Sequence, residues 1–273
     1  MRNYLYVLSF LLSCSFYGQS KIDKSKNDLN GRNQSSRQSG NDSRRSSNSQ
    51  NSGTYFNNED GAFWFYVIPK IVFFSFIGNH HYEQHLQNKV TDYPYYNGES
   101  GNYENSAFSK NFRLDIEDNL LFSSNTLYGN HLKVKIRPFQ YFYLQGDMHQ
   151  LFEKNKLENT TDRLSIYFFN AGYDRIRMEK FNFGWTMGAS YIGNEVKKAG
   201  FSFGLNTEIF IGHNLSLSAA AKWSSINGYS VNLYDIQTRY HKERFFGSLG
   251  FEHMQIGTPN YNFVSLGGGV YLN

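Results

Sequence analysis

The side chains that could do chemistry are histidines, serines and carboxylates in the second half of the chain: His213, His241, His253, Ser216, Ser248, Glu243 and Glu252. A serine beside a histidine that an acid orients is the arrangement of a serine hydrolase. Glu252 and His253 are sequence neighbours, so on a strand they face opposite sides and cannot pair directly. His241 and Glu243 share a face but approach a tight turn, and no G-x-S-x-G motif marks a nucleophile. The sequence therefore assigns no catalytic residue.

A second histidine cluster lies in the segment NHHYEQHLQ. His81 and His85 stand one helical turn apart, with His80 and Glu83 close by, so on a helix they would share a face and could ligate zinc or copper. No third ligand stands at a diagnostic spacing, and exposed polar side chains are the alternative. The lone Cys14 excludes an intramolecular disulfide and a cysteine-based zinc site. We therefore expect no metal ion and no cofactor.

Residues 131–147, HLKVKIRPFQYFYLQGD, alternate between apolar and polar side chains. Leu132 and Val134 belong to the apolar set, Lys133 and Lys135 to the polar one. This period of two is that of a strand with one apolar and one polar face. Because a strand that crosses a bilayer needs only about 9 to 11 residues, we predict one long strand that crosses a membrane and projects beyond it.

The same alternation recurs along the rest of the chain, in residues 111–122, 163–178, 181–192, 201–211, 215–223, 229–241, 245–254 and 261–272. It is disturbed at residues 170–174, as by a β-bulge, and its apolar parity switches near Asp235. Tight connections alternate with looser or longer ones, the tight ones at residues 129–130, 179–180, 212–214 and 242–244, the others at 150–162, 193–200, 227–228 and 257–260. Short turns on one side and longer loops on the other are typical of an outer-membrane meander.

The N-terminal part of the chain reads as an export signal followed by a linker. Residues 1–18 have the short apolar core of a signal peptide. Cleavage after Gly18 and lipidation at Cys14 are alternatives, and either one exports the protein. Residues 19–60 are nearly free of apolar side chains, so we expect them to form a disordered polar linker.

An apolar run, residues 62–78, precedes the strands within a segment that we bound at residues 61–110. It is either a first barrel strand or a helix at the membrane surface. The alternating stretches after it give about nine strands, whereas a bacterial barrel has an even number with both ends in the periplasm. Counting the apolar run as a strand makes about ten, with eight as the fallback. We therefore predict an all-β, antiparallel up-and-down transmembrane β-barrel over residues 111–273.

The polar face of the predicted strands carries charges of both signs, since Arg113, Asp115 and Glu117 would lie near Lys133 and Lys135. Such charges could pair across a narrow lumen, which favours a membrane barrel with its apolar face toward lipid. A soluble lipocalin-like carrier, with its apolar face turned inward around a ligand, is the alternative.

Residues 111–273 resemble the β-barrel proteins of Gram-negative outer membranes in architecture. The last segment, FVSLGGGVYLN, is similar to the C-terminal strand that the barrel-assembly machinery reads, although it ends in Leu272 and Asn273 instead of an aromatic residue. The resemblance implies a multi-pass barrel in the outer membrane. Its implied partners are outer-membrane lipid and, during biogenesis, the barrel-assembly machinery. It names no specific family.

Our functional hypothesis is a structural, adhesive or assembly role in the bacterial envelope. Some small outer-membrane barrels that this chain resembles in size are hydrolases of envelope lipids or lipid A, which gives an enzymatic alternative. Charge is nearly balanced, with 27 basic against 23 acidic residues, so it does not favour a nucleic acid as partner.

Overall fold

Ten antiparallel strands close into a barrel in which each strand pairs with its sequence neighbours and the last pairs with the first. The computed structural model describes residues 20–35, 76–78, 88–98, 101–103, 112–155 and 159–273. The strands are Arg113–Phe122 (β1), Leu127–Arg137 (β2), Phe142–Asn155 (β3), Thr160–Arg177 (β4), Phe181–Ile192 (β5), Lys198–Ile211 (β6), Leu215–Ile226 (β7), Tyr229–Lys242 (β8), Phe245–Ile256 (β9) and Asn260–Leu272 (β10). A helix, α1, covers Lys21–Ser35, and a 3-10 turn covers Tyr96–Gly98. The predicted all-β, antiparallel up-and-down barrel of about ten strands is confirmed.

Residues 131–147 form parts of two strands, which corrects the prediction of a single long strand. A turn over residues 138–141 joins β2 to β3, and Ile136 lies opposite Leu144 across the hairpin. Pro138 stands in this turn, where its missing N–H costs no ladder hydrogen bond. The turn keeps the alternation in phase, so the sequence pattern runs through it without a break.

This hairpin supplies the tenth strand, so the predicted number is right although residues 62–78 are not its source. The ring closes by direct pairing of β1 with β10 and leaves no position for a further strand. The structure describes only the last three residues of that apolar run. The expected signal peptide, with its alternatives at Gly18 and Cys14, lies outside the described residues.

The connections are short at both ends of the barrel, which corrects the predicted alternation of tight turns and long loops. They cover residues 123–126, 156–159, 193–197, 227–228 and 257–259 at one end, and residues 138–141, 178–180, 212–214 and 243–244 at the other. Residues 129–130, predicted as a turn, lie inside β2. Most of residues 150–162 are strand because β3 and β4 stay paired until Asn155 lies opposite Thr160. Loop length therefore does not indicate which end faces outward.

Side chains alternate between the lumen and the outer surface, with the polar face inward as predicted. In β1, Arg113, Glu117 and Asn119 are buried in the lumen, whereas Leu120 and Phe122 are exposed outside. The alternation therefore separates a charged interior from an apolar exterior.

One stretch of the lumen is apolar instead of charged. In β8, Val231, Leu233 and Asp235 all point inward and are buried. The apolar parity that switches near Asp235 in the sequence therefore reflects a change from apolar to charged side chains on the lumen-facing side of β8, with no break in the strand. In β4, the register shifts between Asp174 and Ile176, at the end of the predicted disturbance.

Helix α1 closes the barrel where β1 turns into β2, an end here called the helix end. Its Ile22 and Leu29 are fully buried and pack with apolar side chains of the lumen, which include Leu121, Leu151, Leu164, Ile192, Ile226, Met254, Ile256 and Phe263. The prediction of disorder for residues 19–60 is therefore wrong for this helix. Its sequence is almost wholly polar, so docking to the barrel, and not its own propensity, gives it order.

The opposite end, where β1 begins and β10 ends, is here called the terminal end, and residues 88–98 and 101–103 lie there. Val90 and Tyr103 form an isolated antiparallel bridge, and both are buried. These residues therefore form a second closure of the barrel.

Residues 76–78 lie on the outer surface of the barrel. Trp185 Nε1 donates a hydrogen bond to the Phe76 carbonyl oxygen at 3.1 Å, and the Tyr173 hydroxyl donates to that of Ile77. Among the described residues, no helix is long and apolar enough to cross a membrane.

Candidate functional site

Paired charges fill the middle of the lumen, and the partners come from different strands. The closest pairs are Arg137 Nη1 with Asp174 Oδ2 at 2.6 Å, Arg239 Nη2 with Glu117 Oε2 at 2.7 Å, Lys133 Nζ with Asp235 Oδ2 at 3.4 Å, and Lys222 with Asp147. All of these side chains are largely buried. Because a buried charge without a partner is costly, the strands that carry them must close together for any pair to be stable.

The terminal end is closed by hydrogen bonds between residues 88–103 and this charged network. The Tyr103 hydroxyl donates to Asp174 Oδ2 at 2.5 Å, and Asn102 Nδ2 donates to Glu208 Oε2 at 2.8 Å. Arg113 donates through Nη2 to Asn102 Oδ1 at 2.9 Å. Burial raises the pKa of the Tyr103 hydroxyl far above its usual range, so Tyr103 remains a hydrogen-bond donor.

A second tyrosine extends the terminal closure across the next strands. The Tyr95 hydroxyl donates to the Leu215 carbonyl oxygen, and its ring lies 5.5 Å from the ring of His241. Burial is the main cause that raises the pKa of Tyr95 to about 12, so the hydroxyl is protonated at neutral pH. Tyr95 therefore covers the lumen over β7 and β8.

The helix end is closed by apolar packing together with several hydrogen bonds. Ser25 Oγ lies 2.8 Å from both the Ile256 carbonyl oxygen and the Tyr261 hydroxyl. Asp28 accepts from the Thr258 backbone N–H at 2.8 Å. These contacts fix α1 against β9 and β10, while its apolar side chains fill the opening.

Two small cavities lie among the charged side chains between the two closures. One offers ≈ 40 Å³ to the centres of water molecules, and the other offers ≈ 30 Å³. Because one water needs roughly 10–15 Å³ on this scale, each cavity holds a few waters at most. Around these two cavities, the side chains that the structure describes pack the lumen as a polar core.

The histidines proposed for hydrolysis are scattered in the fold. His213 lies in the β6–β7 turn, and His253 points outward, with Nδ1 at 2.6 Å from Asn262 Oδ1. Glu243 lies in the β8–β9 turn, and Ser248 donates to Asn119 Oδ1 at 2.6 Å. The cluster at residues 80–85 lies outside the described residues.

Ser216 and His241 are the exception, since Ser216 Oγ lies 2.8 Å from His241 Nε2. The other ring nitrogen lies 3.3 Å from the Tyr271 hydroxyl, so no carboxylate orients the histidine as in a triad. Both residues are buried, at 0% and 1% exposure, beneath Tyr95. Such a pair can stabilise the closure, but its burial gives a substrate no access to the serine.

Sequence reasoning missed a different cluster, made of His131, His149 and Glu252. The register places His131 directly opposite His149 on the β2–β3 hairpin, and Glu252 reaches them from β9. The two histidines are brought together only by the turn at residues 138–141, so treating residues 131–147 as one strand concealed the pairing.

Comparison with protein families matches residues 73–194 to the type I restriction modification DNA specificity domain. This range is less than half of the chain and ends between β5 and β6, so it covers an incomplete ring. No curated protein matches the chain.

Among solved structures, the chain is similar to an outer membrane channel from Pseudomonas putida F1, at 8% identity and a TM-score of 0.36, over 61% of this chain and 97% of that one. It is also similar to Ail, the attachment invasion locus protein of Yersinia pestis, at 12% identity and a TM-score of 0.28, over 59% and 96%. Likenesses of this size carry no argument by themselves. The closed ring of ten antiparallel strands confirms the predicted architecture, without a specific family.

Proposed function

We propose that the protein is an integral β-barrel of a Gram-negative outer membrane with a structural, adhesive or assembly role in the envelope. Outer-membrane lipid surrounds it, and the barrel-assembly machinery inserts it. Its packed lumen stabilises the barrel and carries no solute.

The apolar outer surface is the observation that carries this proposal. Large apolar side chains are exposed on the outside of most strands, at 44% to 63% of their area: Leu120, Leu144, Phe169, Met187, Phe201, Ile236, Leu249, Phe251, Val264 and Leu266. In water, a continuous surface of this kind favours aggregation. In lipid it is the surface that a barrel needs, with its charges kept inside.

Aromatic side chains border this surface toward the helix end. Neighbouring strands place their rings 5.5 to 6.2 Å apart in the pairs Tyr128–Phe152, Tyr167–Tyr191, Phe203–Trp223 and Trp223–Tyr234. A second exposed group, Phe142, Tyr240 and Phe245, lies near the terminal end. Two aromatic girdles around an apolar band are typical of barrels at the two membrane interfaces.

The orientation that we propose has the terminal end in the periplasm. The first and last strands both reach that end, and bacterial barrels keep these strand ends on the periplasmic side. Helix α1 then lies at the cell surface, with Lys21, Lys24 and Asn27 exposed to solvent. A polar, surface-exposed helix over a packed barrel suits an adhesive or structural role.

The two alternative functions lack this support. A lipocalin-like carrier would turn the face of Phe183 and Met187 inward, but Met187 is 46% exposed on the outside, so this alternative is wrong for the described fold. Only the Ser216–His241 contact supports the hydrolase alternative, and that contact is buried.

Membrane fractionation with heat-modifiable migration tests the proposal. We expect the protein in the outer-membrane fraction, and we expect the unheated protein to migrate differently from the boiled one. Recovery as a soluble periplasmic protein would overturn the proposal. In planar bilayers the purified barrel should give no steady conductance, and an open-channel conductance would contradict the packed lumen.

A further inference from the structure

The cluster of His131, His149 and Glu252 lies in the lumen between the charged network and the apolar layer under α1. The three side chains are 1%, 0% and 0% exposed. The rings of His131 and His149 stack with their centroids 3.7 Å apart, and the ring of Phe168 meets His149 edge-on at 6.3 Å. No membrane lipid or bulk water therefore competes for these donor atoms.

The cluster contains polar atoms without a hydrogen-bond partner. His131 Nδ1 lies 2.6 Å from Glu252 Oε1. By contrast, both ring nitrogens of His149 and Glu252 Oε2 form no hydrogen bond with any residue that the structure describes. His149 Nε2 and Glu252 Oε2 approach to 3.3 Å without the geometry of one. A fully buried imidazole without a hydrogen-bond partner is destabilising, so the site calls for a further ligand.

We propose that these three side chains bind a divalent transition-metal ion of the zinc class. One donor atom from each residue lies within 4.8 Å of the other two. Around zinc, donors at about 2.0–2.2 Å from the ion stand roughly 3.4 Å apart, so small side-chain movements close the site. Two imidazoles and one carboxylate match the ligands that Zn²⁺ accepts, whereas Ca²⁺ and Mg²⁺ prefer oxygen donors.

Asp147 supports the same assignment from behind His131. Its Oδ1 lies 3.4 Å from His131 Nε2, on the side of the ring away from Glu252. A carboxylate there accepts the second ring N–H of a histidine that binds metal through Nδ1, and so fixes the tautomer and the ring orientation. Asp147 is itself held by Lys222 and by Gln145 Nε2 at 3.0 Å.

The position of the site indicates a structural role for the ion. The ligands come from β2, β3 and β9, so the ion would cross-link strands that are three and four positions apart around the ring. Helix α1 and the apolar layer cover it, so we expect loading during folding. Bound metal then adds to the stability of the folded state, because the assembled ligand set does not exist in the unfolded chain.

Metal analysis of the refolded full-length protein tests the proposal. The protein is unfolded with chelator, refolded into detergent with Zn²⁺, freed of excess metal and analysed by inductively coupled plasma mass spectrometry. We expect one zinc per chain in the unmodified protein, and a loss of at least ten-fold in bound zinc with His149→Leu. His253→Asn, which changes an outward histidine, should keep full occupancy. Absence of bound zinc in the unmodified protein, or equal zinc in His149→Leu, would overturn the site.

Two further measurements keep the test independent of folding defects. Refolding the unmodified protein with Co²⁺ should give visible absorption bands of a low-coordinate N/O site, and their absence would count against the site. Asp147→Asn should retain one zinc per chain but weaken its affinity about 10–100-fold, as loss of a carboxylate behind a ligating histidine does. An unchanged affinity in Asp147→Asn would contradict the place given to Asp147.

Discussion

The two ends of the lumen are closed by opposite kinds of chemistry. At the helix end, Ile22 and Leu29 of α1 fill an apolar ring, and hydrogen bonds such as those of Ser25 and Asp28 join the helix to β9 and to the β9–β10 turn. At the terminal end, Tyr103 and Asn102 hydrogen-bond directly to the carboxylates of Asp174 and Glu208. One closure uses hydrophobic packing, whereas the other is part of the charged interior.

This difference predicts different behaviour for the two closures. Removing α1 exposes apolar surface but leaves no barrel charge without its partner across the lumen, so the helix can dissociate as a local unit. Removing the contacts at the terminal end disturbs the groups that keep Arg137 and Arg113 paired, so that end should unfold only with the barrel. The following variants test this contrast.

Asp174→Ala should have the largest effect. It leaves Arg137 buried without its closest partner and removes the acceptor of Tyr103, so we expect a loss of about 3–5 kcal/mol in the free energy of unfolding. Urea titration in lipid vesicles measures it. The double variant Arg137→Met, Asp174→Leu is the control and should recover much of the loss. A loss below about 1 kcal/mol in the single variant would show that the pair is not part of a coupled network.

Leu29→Ala should weaken the docking of α1 by about 2–5 kcal/mol while leaving the barrel folded. Trypsin should then cleave after Lys24 or Lys26 in the folded protein, and the remaining barrel should keep its heat-modifiable migration. Asn27→Ala, an exposed change on the same helix, is the matched control and should remain resistant. If Leu29→Ala unfolds the barrel cooperatively, the closures are not independent.

Tyr103→Phe should have an intermediate effect, because it removes the hydrogen bonds to Asp174 and from Arg137 but keeps the charge pair between those two residues. We expect a loss of about 1–3 kcal/mol in the free energy of unfolding, measured by the same urea titration. Tyr93→Phe, in the same segment, is the control and should change little. Equal losses in Tyr103→Phe and Asp174→Ala would mean that the tyrosine, and not the charge pair, closes this end.

Glu195→Gln should have the smallest effect. Glu195 contacts Lys26 of α1 at 3.0 Å, but its side chain is 71% exposed, so the pair should contribute less than about 1 kcal/mol. The trypsin assay should show little change and little dependence on salt. Strong release of α1 in this variant would show that charge, and not apolar packing, holds the helix end.

The barrel itself could be predicted from sequence because its signal is repetitive. Alternation in β1, β5, β6 and β7 assigns both faces, and the pairing of unlike charges such as Glu117 and Lys133 follows from adjacent strands. The predicted count of ten strands included residues 62–78 as a strand and took residues 131–147 as one strand. The turn at residues 138–141 keeps the alternation in phase, so the pattern did not show that two strands meet there. A periodic pattern shows which side chains share a face of a strand more reliably than it shows where the strand ends.

The closures and the histidine cluster could not be predicted from local sequence. Helix α1 has the composition of a disordered linker, and only the apolar ring of the lumen gives Ile22 and Leu29 a place to bury. This apolar ring is formed by residues that are distant in sequence, and so is the contact between Glu252 and His131. Both features require the closed barrel, which no single segment encodes.

Neighbouring positions on β3 test the central claim most directly. Leu144 is 56% exposed on the outer surface, whereas Gln145 is 8% exposed in the lumen. Each is replaced by cysteine in a Cys14→Ser background, refolded into vesicles, and treated with a thiol reagent attached to lipid chains. We predict rapid labelling at position 144 and little at position 145. Equal labelling at both positions, or the reverse order, would contradict a barrel that faces lipid with its apolar side and encloses its charges.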